Sequence, residues 1–256
     1  NMEGLIFILA GFVTGIITGI IGASSIVAFI PIILLFFDYD AFSLIGVSLA
    51  LDVFVALVVF LMYTKYHHVR FKLGLFLAIF AVIGAIIGSY VSISLPESLL
   101  FVITGLTSLF VGIGIFRRKR KVKSQTKLEF NFSLKNLKFW LAILLALGIG
   151  LIAGGFGAAG GISLLLVLIL LFKFEIHEAI GTSVFIMFFI ALAGSLTHFY
   201  YRDFPLPLLI SAIVGGIIGG LFSARLANLF KEGTLNKISG LFLIILGLVT
   251  LLRELI

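Results

Sequence analysis

The chain has 256 residues, of which 62% are hydrophobic and 11% charged, with a mean hydropathy of +1.32. A soluble domain carries about a quarter charged residues, so this chain cannot cover a water-facing surface and the bilayer is its expected solvent. The absence of Cys removes disulfides, thiol chemistry and Cys-based metal sites, and the formal charge of +7 is concentrated in Arg117–Lys123 and continues through Lys127, Lys135 and Lys138. Between apolar spans, such a run reads as a cytoplasmic loop under the positive-inside rule before it reads as a nucleic-acid patch. The first apolar stretch lacks a basic n-region, so no cleavable signal peptide is expected.

The apolar segments are Gly4–Gly22, Ala23–Phe37, Ala41–Tyr63, Leu73–Leu95 and Ser98–Phe116, then, after the basic stretch, Leu137–Gly157, Ala158–Phe172, Glu178–Tyr200, Pro205–Phe230 and Leu235–Leu252. A full span needs about 20 residues. Ala23–Phe37 and Ala158–Phe172 fall short of that, and they occupy matching places in the two halves. They read as half-helices, re-entrant segments or short tilted spans.

The halves repeat. Gly15, Gly19 and Gly22 recur as Gly150, Gly154 and Gly157 at a constant offset of 135 residues, which also carries Gly46-Val47-Ser48 onto Gly181-Thr182-Ser183 and Gly105 onto Gly240. The expected fold is an all-α polytopic membrane protein of two tandem repeats, each of about five hydrophobic helical segments. The first repeat covers 1–116, a basic cytoplasmic linker 117–136 and the second repeat 137–256. With the linker inside, Lys65, Arg70 and Lys72 fall inside, while Asp38–Asp40 and Pro96-Glu97 fall outside. If Leu137–Phe172 crosses twice, the later loops lie on the opposite side from their counterparts, as in an inverted repeat. If the short segments do not cross, the repeats are four-plus-four and parallel. Arg225 and Lys231 would then lie outside, which the charge rule disfavours, so the inverted arrangement is preferred.

Each repeat has a glycine-punctured break, Gly15–Pro31 and Gly150–Ser163. Glycine costs about 1 kcal/mol in a helix interior relative to alanine, and a helix that restarts exposes free N–H groups at a partially positive end. Two such starts facing each other would hold an anion without Lys or Arg. The bland alternative is close helix packing through small residues. The anion reading assigns substrate binding to Gly22, Ala23, Ser24, Ser25, Gly157, Ala158, Ala159, Gly160 and Gly161, with Ser48, Thr182 and Ser183 as supporting hydroxyls. The serines could equally back-bond to their own helix.

These paired motifs resemble the TauE/SafE sulfite-exporter family, also called the anion permease family TSUP. The resemblance covers nearly the whole chain and rests also on Ala179-Ile180-Gly181-Thr182-Ser183, on Gly215–Gly220 with Ala224-Arg225-Leu226-Ala227, and on the basic mid-chain stretch. It implies export or import of sulfite, sulfoacetate or another small organosulfur or carboxylate anion. Ser24-Ser25 stands where the family commonly shows glycines, which would add donors and alter ligand preference.

Among the intramembrane polar residues Asp52 is the sharpest. It lies midway along its segment, its counterpart is Met187, and a carboxylate there is costly unless paired, hydrated or protonated. It is the candidate for proton coupling; the alternative is a protonated side chain bonded to a neighbouring helix. Arg225 is a candidate charge partner, although snorkelling at the interface suits it better. His198 and Tyr200-Tyr201 read as an interfacial belt. His67-His68 and the group Glu175, His177 and Glu178 do not make a convincing metal site.

The functional expectation is a secondary transporter of a small anion in the cytoplasmic membrane, working by alternating access with proton coupling. Neither cofactor nor metal is expected. The partners would be the anion, the bilayer and, as one option, a second copy of the chain, with no nucleic acid. An anion channel or a carboxylate carrier is the alternative. An intramembrane enzyme would need a nucleophile–base pair or metal cluster that the sequence does not offer, and no Walker-type loop points to ATP.

Overall fold

The computed structural model describes residues 2–117, 137–157, 160–201 and 206–227, with single positions and short runs between 237 and 252. Expectations that fall on the basic linker, on Ala158 and Ala159, on Arg202–Pro205 and on most of the last apolar segment lie outside the described residues. The described residues contain helices and no strand: α1 (Met2–Ile21), α2 (Ile26–Leu34), α3 (Ala41–Lys65), α4 (Phe71–Ser92), α5 (Glu97–Phe116), α6 (Leu137–Phe156), α7 (Gly160–Leu170), α8 (Ile176–Tyr201) and α9 (Leu206–Ala227). Six of them, α1, α3, α4, α6, α8 and α9, are long and apolar enough to cross a membrane. In hydrocarbon every backbone N–H and C=O needs an internal partner, and a helix supplies nearly all of them.

The ends of these helices are set locally. Asp40 caps α3 by accepting the Ser43 N–H at 2.9 Å. The helices α1 and α6 stop at Gly22 and Gly157, with φ of +72° and +63°. Only glycine takes that left-handed conformation without strain, and it is a common way to end a helix. The Gly22 N–H closes the end of α1 on the Thr18 carbonyl at 2.8 Å. Since the two glycines are repeat counterparts, the breaks fall where the offset places them. The helices that follow, α2 and α7, have 9 and 11 residues. At about 1.5 Å per residue neither covers the ~30 Å hydrocarbon core.

After its break α2 doubles back. The Phe7 ring, near the start of α1, lies 5.8 Å from that of Phe37 and 6.2 Å from that of Tyr39, both beyond the end of α2. At the other end Tyr63, late in α3, reaches Gly19, late in α1. So α1 and α3 run the same way and α2 returns between them.

The core is the pair α3 and α8, buried over most of their lengths, while α1, α4, α6 and α9 are buried over half or less. The two central helices are antiparallel. Phe42, at the start of α3, stacks on His198, near the end of α8, and Gly181, near the start of α8, sits against Tyr63 and the His68 carbonyl. Around this pair α1 packs on α9 and α4 on α6.

Both outer seams are built on glycine, and the same offset runs through them. A Cβ placed on Gly15 would strike the Gly216 carbonyl, and one on Gly150 would strike the carbonyl of Ala81, the counterpart of Gly216. Likewise Gly219 abuts the Phe12 carbonyl and Gly84 the Leu147 carbonyl. These two contacts of the α1–α9 seam thus recur in the α6–α4 seam with the halves exchanged. Helices that approach backbone to backbone gain dispersion contact that lipid cannot offer.

The loop between α3 and α4 is tied to the start of α8. Arg70 donates to Glu178 Oε1 at 2.8 Å, its backbone N–H donates to Thr182 Oγ1 at 3.0 Å, and the rings of His68 and His177 stack at 5.3 Å. Partial burial, then the neighbouring His177, push the His68 imidazole below its ordinary value of 6.5, with Glu178 opposing.

Two expectations follow. Gly150→Val should lower stability by about 1–3 kcal/mol through overpacking, whereas Gly148→Val, at a position with open space around it, should stay within ~0.5 kcal/mol; thermal unfolding in detergent compares them. Because the folded state lowers the His68 value, the unfolded chain takes up the proton first. Stability should therefore decline as pH falls below about 6.5, and His68→Gln should flatten that part of the stability–pH curve.

Candidate functional site

The two breaks meet. A Cβ on Gly161 would strike the Gly22 carbonyl, and one on Gly157 would strike the Ile26 side chain. These two contacts are again the same contact with the halves exchanged, since Gly157 and Gly161 are the counterparts of Gly22 and Ile26. Ser24 Oγ lies 3.3 Å from the Gly157 carbonyl oxygen. Gly22, Ser24, Gly157 and Gly161 therefore lie together where the breaks touch, and Ala23 is completely buried.

Asp52 lies against the first break, with 1% of its surface exposed. Its Oδ2 accepts from the Ser24 hydroxyl, and its Oδ1 accepts from the Ser25 hydroxyl and, at 2.7 Å, from the Ser25 N–H. Three donors converge on one carboxylate, all from the restart of α2. The hydroxyls and the N–H expected to await a solute anion are engaged by a carboxyl group of the chain itself. At the corresponding place in the second repeat stands Met187, whose sulfur lies beside Gly161.

The supporting hydroxyls divide. Ser48 and Asp52 are one helical turn apart on α3 and so share a face. Ser48 Oγ is fully buried and has no hydrogen-bond partner among the described residues, and the same holds for Thr18 Oγ1 on α1, one turn before Gly22. Ser183 packs against Gly22, yet its hydroxyl back-bonds to the Ile180 carbonyl at 3.0 Å. Thr182 does not reach the breaks: its hydroxyl accepts the Arg70 N–H and serves the α3–α4 loop. Arg225 is exposed on the last turn of α9 and forms no pair with Asp52, all of whose hydrogen bonds go to Ser24 and Ser25. Thr182 and Arg225 thus stand outside the hydrogen-bonded group formed by Ser24, Ser25 and Asp52.

One residue that the sequence reading placed elsewhere belongs here. His198 is not part of an interfacial belt: it is fully buried. Its Nε2 stands 3.2 Å from the Gly154 carbonyl and its Nδ1 3.3 Å from the Phe42 carbonyl. A neutral imidazole donates to one of these, an imidazolium to both. Ser89 also donates to Gly154, at 2.9 Å. In the first repeat the Tyr63 hydroxyl donates to the Gly19 carbonyl at 3.2 Å. Tyr63 and His198 are separated by the repeat offset, as are Gly19 and Gly154. In each half, then, a polar ring on the central helix secures a carbonyl three residues before the left-handed glycine. Such carbonyls at a helix end have no partner within the helix. Applying the offset to Tyr63 would have singled out His198; the neighbouring tyrosines, which are exposed, hid it.

Apolar helices of spanning length, wrapped around two facing helix breaks with a buried carboxylate between them, are the build of a membrane transport protein. A family model described as "Sulfite exporter TauE/SafE" matches residues 7–250, and the chain belongs to that family of multi-pass membrane transporters. It is similar to the "Probable membrane transporter protein YdhB" of Bacillus subtilis (strain 168), 25% identical over 96% of this chain and 100% of that protein. It is also similar to the "Probable membrane transporter protein YunE" of the same organism, 24% identical over 96% of each chain. A "Probable membrane transporter protein" of Xylella fastidiosa (strain 9a5c) is 24% identical over 73% of this chain and 71% of its own. No solved structure matches the chain significantly.

The paired ring contacts make a testable statement. Tyr63→Phe and His198→Phe each remove a buried donor from a break while keeping an aromatic ring. Each should lower stability by about 1–3 kcal/mol, read as a drop in unfolding temperature in detergent.

Proposed function

We propose that this protein is a secondary transporter, an exporter or permease, of a small anion such as sulfite, sulfoacetate or a related organosulfur compound. It acts in the cytoplasmic membrane by alternating access, with proton coupling. The observation that carries this reading is the meeting of two glycine-terminated breaks around Asp52. The anion is held between Gly22–Ser25 and Gly157–Gly161, and Ser48, unpartnered and one turn from Asp52, supplies a further donor. The repeats 1–116 and 137–256 rock about this point, with 117–136 as the linker between them. The inverted arrangement is supported by α3 and α8, repeat counterparts that run antiparallel through the core. An axis relating two antiparallel spanning helices lies in the membrane plane. The chain acts as a carrier and not as an enzyme.

Reconstituted flux tests this. Proteoliposomes should take up labelled sulfite or sulfoacetate with saturation at low rate; a non-saturating current would instead favour an anion channel, and selective uptake of acetate a carboxylate carrier. Ala23 is fully buried at the first break, so Ala23→Leu should abolish flux. Gly148→Leu, at a position where nothing lies within 4 Å of an added Cβ, should leave it intact. Wild-type rates with Ala23→Leu would remove the site from the breaks.

A further inference from the structure

Within this transport reading, we infer that Asp52 is a tethered competitor for the anion site. Its carboxylate and the solute anion use the same donors, so an anion enters the first break only together with a proton that discharges Asp52.

The geometry is that of an occupied anion site. Ser24 Oγ, Ser25 Oγ and Ser25 N–H are three donors at the restart of α2, and the two oxygens of Asp52 accept from all three, with Ser24 Oγ also 3.3 Å from the Gly157 carbonyl. The N-cap of α2 confirms the diversion, because Ser25 makes no side-chain cap to its own helix. A carboxylate is a two-oxygen fork, and so is one edge of a sulfite or sulfonate group, so the cradle fits either. Two more hydroxyls stand ready for a third oxygen. Ser48 Oγ and Thr18 Oγ1 are fully buried and unpartnered, one turn from Asp52 and from Gly22 respectively. Asp52 alone does not use them, and a buried hydroxyl without a partner costs about 1–3 kcal/mol.

Electrostatics then links the two ligands. Two anions sharing these donors in a medium of low dielectric repel strongly. The helices packed on α3 carry Glu3 on α1, Glu97 on α5, His177, Glu178, His198, Tyr200 and Tyr201 on α8 and Arg225 on α9. None of these pairs with Asp52: Glu178 is bridged to Arg70, and His198 meets Phe42 and Gly154. Among the described residues no cation pairs with Asp52 to absorb a second negative charge, so in this proposal a proton on Asp52 does. The protonated carboxyl releases the Ser24 and Ser25 donors to the solute; when the anion leaves, the proton departs and the carboxylate returns to the cradle. Proton and anion therefore travel in the same direction, one for one.

Binding of sulfoacetate, whose two acid groups stay ionised between about pH 6 and about pH 8, tests this by calorimetry on the purified full chain. For the wild type, affinity should fall about tenfold per pH unit once Asp52 is ionised. Asp52→Asn carries no charge at any pH and should bind with an affinity that no longer changes with pH. A pH slope in Asp52→Asn equal to that of the wild type would overturn this inference and leave the anion-transporter reading standing. If wild type binds none of sulfoacetate, sulfite and acetate, the transporter reading fails and this one with it. Should Asp52→Asn not fold, the wild type alone decides: in proteoliposomes an inward sulfoacetate gradient should carry protons inward, one per anion. Anion uptake without proton movement would overturn the inference.

Discussion

A peptide group in hydrocarbon has to find its partner inside the protein, and interrupting a helix there leaves groups that cost several kcal/mol each if unpaired. Much of the polar chemistry of this chain answers that demand at two points. At the first break the Ser25 N–H goes to Asp52 and the Gly19 carbonyl to Tyr63. At the second, the Gly154 carbonyl meets His198 and Ser89. Thr18, Ser24, Ser25, Ser48, Asp52, Ser183 and His198 are all buried because the breaks are buried. The interruptions in turn hold α2 and α7 short, fold α2 back along α1, and bring Gly22 against Gly161.

The glycines do two different jobs, and only their contacts separate them. Gly22 and Gly157 turn the chain through a left-handed conformation. Gly15, Gly84, Gly150 and Gly219 have helical backbones and matter for what they lack, a side chain between two closely packed helices. The seams formed in this way fix α9 against α1 and α4 against α6, and so frame the pair α3 and α8 that carries Asp52 and His198.

The helical class and the places of the breaks at Gly22 and Gly157 were legible in the sequence because glycine spacing and apolar length report directly on backbone geometry. The partners of the polar side chains were not. Helices apolar all round give no periodic signal of which face points inward, so nothing along α3 announced that Asp52 would meet residues 27 and 28 positions earlier. Thr182 looked like a site residue because it adjoins Ser183, but neighbours on a helix point about 100° apart, and Thr182 turns to Arg70 instead. His198 was masked by the two exposed tyrosines that follow it.

The exchange of contacts between the two seams has a thermodynamic side. A carrier made of two identical halves would have inward-facing and outward-facing forms that are the same object turned over, equal in energy by symmetry. Here the symmetry fails at its most consequential position, where Asp52 faces Met187 across the repeat, and again where Tyr63 is matched by His198. Under the alternating-access reading proposed above, the two orientations would then be distinct species, and with Asp52 as the proposed proton site the balance between them would shift with the acidity on either side.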